Sequence, residues 1–99
     1  MSNPSVRDVL IAARKLIEKP EDWFHHGYEE WNGRHCLVTA ARLAAEKPNG
    51  LTDWDKCWAA KVALQAVIMD DLIDWNDHPG RTHAEVLRAF DKAIAECGQ

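Results

Sequence analysis

The sequence contains no apolar run near the roughly 18 residues that a membrane-spanning helix needs, so no transmembrane segment is expected. Arg7 and Asp8 interrupt the first apolar stretch, and we therefore expect no secretory signal peptide. The chain also lacks a C-x-x-C pair, since its three cysteines lie far apart and their odd number leaves one unpaired. Reduced thiols in a cytoplasmic protein are the simplest interpretation of this pattern.

Features that bind nucleotides or nucleic acids are missing as well. The sequence has no glycine-rich loop of P-loop length. Its lysines and arginines are scattered along a chain of net charge −4 and form no basic patch. We therefore expect neither a nucleic acid nor a membrane among the partners, and no cofactor.

What the sequence does contain is the composition of one small folded domain. Of its 99 residues, 46% are hydrophobic and 28% are charged. A compact chain of this length buries roughly 60–65% of its unfolded surface, which is enough for one core and too little for two. The hydrophobic content is too high and the net charge too small for a disordered chain. Residues 1–99 are therefore expected to form a single helical domain.

Helical periodicity dominates the chain, and no segment has the pattern of a strand. Pro20 ends the first periodic segment, Pro48 ends the second, and a T-x-x-E capping box at Thr82 and Glu85 opens the last. The predicted helices cover about residues 5–19, 35–47, 53–74 and 82–97. We predict an all-α fold, a compact bundle of these four helices.

The third predicted helix is apolar over an unusually wide part of its surface. Its apolar residues cover an arc of about 180° at 100° per residue, wider than that of an ordinary surface helix. This breadth predicts a central helix that is packed on two sides. Lys61 and Gln65 project from the middle of the arc, and we expect them in the seam between the two flanks.

An aromatic-rich loop is predicted between the first and second helices. The segment Pro20–Gly33 has no clean period and carries Trp23, Phe24, Tyr28 and Trp31. Four aromatic side chains are not expected to remain in water, so this loop should cover one face of the core.

Acidic residues near the end of the third helix match the D-D-x-x-D pattern with which some helices hold magnesium and a diphosphate. Asp70 and Asp74 share a helix face, and hard cations prefer oxygen ligands. Enzymes with this motif enclose a large cavity that 99 residues cannot form, so solvated acids at a helix end are the simpler interpretation. The five histidines and three cysteines do not have zinc-site spacing, and no metal site is expected.

Cys36 is the candidate nucleophile, because it follows His35 at the start of the second helix. A helix amino terminus lowers the pKa of a thiol, and a nearby histidine completes a nucleophilic pair. A thiol-dependent hydrolase or transferase is therefore one alternative function. The competing interpretation is a buried structural thiol, since no strand is available to carry the histidine, as it does in cysteine peptidases.

A sharp corner precedes the last helix. We name residues 75–82 the Pro79-Gly80 corner, after the two residues that break the chain there. Arg81 lies just before a helix amino terminus, which attracts anions. A metal or anion binder formed by Arg81 with Asp70, Asp74 and Asp77 is therefore a second alternative. The structural interpretation is a turn and cap in which Trp75 closes the junction and Arg81 pairs with Asp74 or Asp77.

Three stretches of this sequence resemble a family of small proteins of unknown function found in actinobacteria and their phages. The stretches are residues 16–28, residues 34–45 and residues 74–94, the last with the motif W-N-D-x-P-G-R-T. The matching residues of the first two are Pro20, Trp23, Gly27, Tyr28 and Cys36. The chain departs from the family pattern at Phe24, where the family has cysteine, and at His35, where it has tryptophan. The resemblance implies a helical protein of the cytoplasm or of a phage, and it implies no activity.

The leading functional hypothesis is a small non-catalytic interaction module that binds a protein partner or a second copy of itself. The five tryptophans supply anchors of the kind enriched at interfaces, and each catalytic pattern has a simpler structural interpretation. The candidate binding residues are Trp23, Tyr28, Trp31, Trp75, Asn76, Asp77 and Arg81.

Overall fold

In the computed structural model, which describes residues 4–24 and 34–97, every regular element is a helix. The elements are α1 (Pro4–Leu16), a 3-10 turn (Pro20–Asp22), α2 (Leu37–Ala44), α3 (Trp54–Ile68), α4 (Leu72–Asp77) and α5 (His83–Cys97). The predicted all-α bundle is confirmed, with four longer helices and one short additional helix. None of the described helices combines the length and apolar character needed to cross a bilayer.

The third predicted helix is divided into α3 and α4, so the prediction of one helix over residues 53–74 is wrong. Met69 adopts a left-handed backbone conformation, with φ of 58°, and ends α3. The Gln65 side-chain amide donates to the carbonyl of Asp70 just beyond this break. The Asp71 carboxylate then accepts a hydrogen bond from the amide of Asp74 at 3.0 Å and caps α4. The acids of the D-D-x-x-D pattern thus form a helix stop and a new helix start.

The core lies where α1, α2, α3 and α5 meet. Its largest completely buried apolar side chains are Leu10, Ile17, Leu37, Leu64, Val86 and Phe90. Buried alanines lie among them and let the helix backbones approach closely: Ala13, Ala40, Ala41, Ala60 and Ala93. Large side chains from four helices and small ones between them are what a close-packed interior requires.

Two polar contacts fasten α1 to α5. The Arg14 guanidinium donates to the Asp91 carboxylate, with Nε and Oδ1 2.7 Å apart. The His83 ring nitrogen Nε2 lies 2.6 Å from the carbonyl oxygen of Ile17, just past the last residue of α1. The end of the first helix and the start of the last are thereby held side by side.

Among the described residues, those that pack against α3 cover one side of it, so the prediction of a helix covered on two flanks is wrong. Cys57, Ala60 and Leu64 are buried on the side that faces α1, α2 and α5. On the opposite side, Trp54 and Trp58 are 65% and 66% exposed. Every described helix that contacts α3 therefore leaves this second apolar side in water.

Candidate functional site

Asn76 is the polar centre of the predicted site, and it is completely buried. Its Oδ1 atom accepts hydrogen bonds from the Trp23 indole at 2.8 Å and from the Leu37 amide at 3.4 Å. Its Nδ2 atom donates to the Phe24 carbonyl at 3.1 Å and to the Asp77 carboxylate at 2.9 Å. One side chain from α4 thereby holds both the start of α2 and the chain that follows α1.

Backbone hydrogen bonds join the two ends of the predicted aromatic loop. The Phe24 amide donates to the His35 carbonyl, and the His35 amide donates to the Asp22 carbonyl, both at 2.9 Å. Phe24 is buried and Trp23 is half-buried, as expected for aromatic residues that cover the core. The remaining two predicted binding residues of this loop, Tyr28 and Trp31, lie outside the described residues.

Arg81 closes the other side of the Pro79-Gly80 corner. Its Nε atom donates to the Trp75 carbonyl at 2.8 Å, and its guanidinium carbon lies 4.0 Å from the centre of the Trp75 ring. Its ion pair is with Glu85, at 3.1 Å, so the expected pairing with Asp74 or Asp77 is wrong. Glu85 lies one helical turn after Arg81, which explains why it captures this guanidinium.

Thr82 and Glu85 form the predicted capping box at the start of α5. The Thr82 amide donates to the Glu85 carboxylate at 2.9 Å, and the Glu85 amide donates to the Thr82 hydroxyl at 3.2 Å. The Thr82 amide lowers the pKa of Glu85 most, followed by the Thr82 hydroxyl and then the charge and hydrogen bond of Arg81. The corner is thus a set of mutually bonded residues in which each predicted member that the structure describes has a structural contact.

A second candidate site lies on α3, where the sequence interpretation placed no binding residue. Trp54, Trp58 and Val62 follow one another at successive turns, and Met69 stands at the end of the helix with 83% of its surface exposed. We call these four residues the α3 face. The sequence signal for the α3 face is the wide apolar arc of the third predicted helix. That arc predicts a helix packed on both sides, whereas in the structure one of these sides is exposed.

A groove runs beside the α3 face. Its volume is about 270 Å³, and Trp58 and Val62 form one wall. Leu72 and Ile73 at the start of α4 also line it, with Val38 of α2. Its charged lining residues are Lys61 and Asp71. An apolar hollow with one group of each charge is suited to an amphipathic protein surface.

A model of one protein family matches residues 1–96, nearly the whole chain. The chain belongs to DUF6197, a family of unknown function. No curated protein and no solved structure matches the chain. Membership of DUF6197 therefore extends over all five helices and assigns no reaction to the corner or to the α3 face.

In this member of DUF6197, Cys36 is built into the start of α2. Its side chain is completely buried, its sulfur accepts a hydrogen bond from the Thr39 amide, and its thiol lies 3.4 Å from the Thr39 hydroxyl. These contacts are those of an N-cap, and an electrophile reaches the sulfur only if the fold opens. Cys57 is also buried, and burial raises the pKa of its thiol although Lys61 and Arg42 act against the increase.

The acidic and histidine residues give no metal centre in the described ranges 4–24 and 34–97, where no group of three candidate ligands comes together. Asp70 accepts a hydrogen bond from the Asp71 amide at 2.8 Å, and Asp71 caps α4. Their carboxylates thus contribute to the break between α3 and α4.

We expect the three thiols to react with iodoacetamide in the order of their burial. Cys97, which is half-buried, should be alkylated first, whereas Cys36 and Cys57 should be protected in the folded protein. Mass spectrometry of peptides taken at successive times measures each rate, with urea-unfolded protein as the control in which the three rates converge. A Cys36 that reacts faster in the folded protein than in the unfolded one would contradict its structural role and favour the thiol-dependent enzyme.

The capping box should make the free energy of unfolding depend on pH in the acidic range. Folding lowers the pKa of Glu85, so its carboxylate stabilises the folded protein at pH values above the unfolded pKa of about 4.3. This stabilisation is lost as the pH falls through the lower pKa of the folded state. Glu85→Gln should therefore be less stable than wild type at neutral pH, and this difference should shrink as the pH falls below the unfolded pKa of Glu85. Urea unfolding across this range measures it, with Glu96→Gln on the exposed surface of α5 as the control. A difference that is the same at every pH would refute the electrostatic role of this carboxylate.

Proposed function

We propose that this chain is a small non-catalytic interaction module that binds a protein through the α3 face. The observation that carries the proposal is the exposure of Trp54 and Trp58, about two-thirds each, on adjacent turns of one helix. A single exposed apolar residue is ordinary in a folded protein. Two tryptophans and Val62 at successive turns, with Met69 at the end of the same helix, form an exposed apolar face, and such surfaces are typical of binding sites.

The residue types of the α3 face support the same function. Tryptophan is enriched among the residues that dominate binding energy at interfaces. Such residues lie in well-packed pockets from which water is excluded. The groove beside Trp58 supplies such a pocket within the same surface. Lys61 and Asp71 at this groove would form the polar rim that surrounds the apolar centre of an interface.

The Pro79-Gly80 corner holds one wall of the groove in place. Asn76 bonds to the amide of Leu37 in α2 and thereby fixes α4, whose Leu72 and Ile73 line the groove. Three of the predicted binding residues thus help to hold this wall of the groove through the hydrogen bonds of Asn76, although they are not its contact surface: Trp23, Asn76 and Asp77. The proposed contact residues are those of the α3 face.

We place this module in the cytoplasm of actinobacteria or of cells infected by their phages. The resemblance of residues 74–94 to proteins from those sources supports the origin. The three free thiols support a reducing compartment.

Photo-crosslinking tests the proposal. A benzoylphenylalanine at position 58, introduced into the chain in cells that produce it naturally, should form a covalent protein adduct on illumination. The control probe replaces Ile11, an apolar residue of α1 that is 40% exposed and lies outside the α3 face. Adducts from position 58 and none from position 11 are expected. The absence of an adduct at position 58, or equal yields at the two positions, would overturn the proposed function.

A further inference from the structure

We infer that the protein bound at the α3 face is a second copy of this chain, in a dimer with two-fold symmetry. The inference rests on the proposed function, because it names the partner of the same surface. In a symmetric dimer one surface patch meets itself, so the patch must carry both a projection and a hollow. The α3 face has both, since Trp54 projects from the start of the helix and the groove lies toward its end.

An antiparallel arrangement of the two α3 helices joins these features. It brings the first half of one α3, with Trp54 and Trp58, against the end of the other α3 and the start of its α4, where Leu72 and Ile73 line the groove. Because of the two-fold axis, this contact occurs twice in the dimer. Antiparallel helix dipoles are also mutually favourable.

The charges of the groove are self-complementary in this arrangement. Lys61 belongs to the middle of α3, and Asp71 follows its end. When the two-fold axis lies midway between these two positions, an antiparallel partner places its own Asp71 opposite Lys61 and its own Lys61 opposite Asp71. Two opposite-charge contacts at the rim of the interface favour this register over a parallel one, in which like charges meet.

The area of the α3 face fits a weak dimer. A tryptophan side chain can bury roughly 150–250 Å², and the four residues are between 48% and 83% exposed. The face therefore offers roughly 500 Å² of apolar surface per copy and roughly 1,000 Å² in the dimer, the smallest area typical of a specific interface. We expect a dissociation constant on the order of 10 µM.

Sedimentation velocity of the purified protein tests the dimer directly. As the concentration rises from about 1 to about 500 µM, the mass should change from 11.2 kDa to twice that value. Trp58→Ser should weaken association at least about 100-fold, as expected for the loss of a tryptophan anchor, and the variant should keep its helical circular dichroism because this side chain is exposed. Ile11→Ser on α1 is the matched control and should associate like wild type. A wild-type protein that stays monomeric throughout this range would overturn the inference.

The two rim charges provide a rescue experiment. Lys61→Glu should weaken the dimer about tenfold, because each new glutamate faces the partner's Asp71. Adding Asp71→Asn should restore part of the association, since asparagine removes the charge and retains the oxygen that caps α4. No recovery in the double variant would contradict the antiparallel register.

The mass of the photo-crosslinked adduct separates this inference from the proposed function. An adduct of two chains of this protein supports both. An adduct of another mass, together with a monomeric purified protein, overturns the second copy and leaves the proposed function standing. The absence of any adduct at position 58 from cells or from concentrated purified protein overturns both.

Discussion

Replacing Asn76 with alanine should lower the free energy of unfolding by about 3–5 kcal/mol, a large part of the stability of a domain this small. The substitution leaves the Trp23 indole and the Leu37 amide without their acceptor, and the Phe24 carbonyl without this donor. Buried polar groups that lose a partner bear the full cost of their desolvation. Thermal unfolding should show a decrease of roughly 15–30 °C in the melting temperature.

Two further variants show whether the cost comes from the buried hydrogen bonds. Asn49→Ala removes an asparagine whose Oδ1 accepts one exposed hydrogen bond, from the Leu51 amide at 3.0 Å, and it should cost about 1 kcal/mol or less. Asn76→Asp keeps the shape of the side chain but replaces the donor with a buried carboxylate beside the Phe24 carbonyl and Asp77, so it should be at least as harmful as alanine. Equal effects of Asn76→Ala and Asn49→Ala would show that the buried network does not hold the corner.

Phe90→Ala should cost about 3–5 kcal/mol, because it opens a cavity in the centre of the core. Phe90 is the largest completely buried side chain among the described residues, and it packs where α5 meets the other helices of the bundle. Urea unfolding followed by circular dichroism measures the change.

Trp58→Ala is the informative comparison for Phe90→Ala. It removes a larger aromatic side chain, yet 66% of that side chain is exposed, so the expected change is within about 0.5 kcal/mol. Both variants should be measured near 1 µM, below the concentration at which the proposed dimer forms. A Trp58→Ala variant as unstable as Phe90→Ala would mean that the α3 face belongs to the monomer core.

Local features of the fold followed from sequence because they depend on residues close together in the chain. The capping box of Thr82 and Glu85 is confirmed atom by atom, since its bonds join residues three positions apart. The ends of α1 and α2 lie within a few residues of the positions that the prolines predict.

The break at Met69 was missed because its determinants compete with a strong helical pattern. The apolar period continues through residues 69–73, which predicts one long helix. Asp70 and Asp71 stop it by offering the backbone side-chain acceptors in place of helical ones. Sequence reasoning interpreted the same acids as solvated residues and so overlooked their capping role.

Sequence reasoning predicted a helical bundle, the approximate positions of its main helices and the capping box of Thr82 and Glu85, because periodicity and this cap depend on residues that are close together in the chain. The burial of Asn76 among Trp23, Phe24 and Leu37 could not be predicted from the sequence, because these residues lie about 40 to 50 positions away in the chain. The tertiary structure also decided which side of α3 is covered. A buried apolar stripe and an exposed one have the same period, and only the placement of α1, α2 and α5 distinguishes the core side from the α3 face.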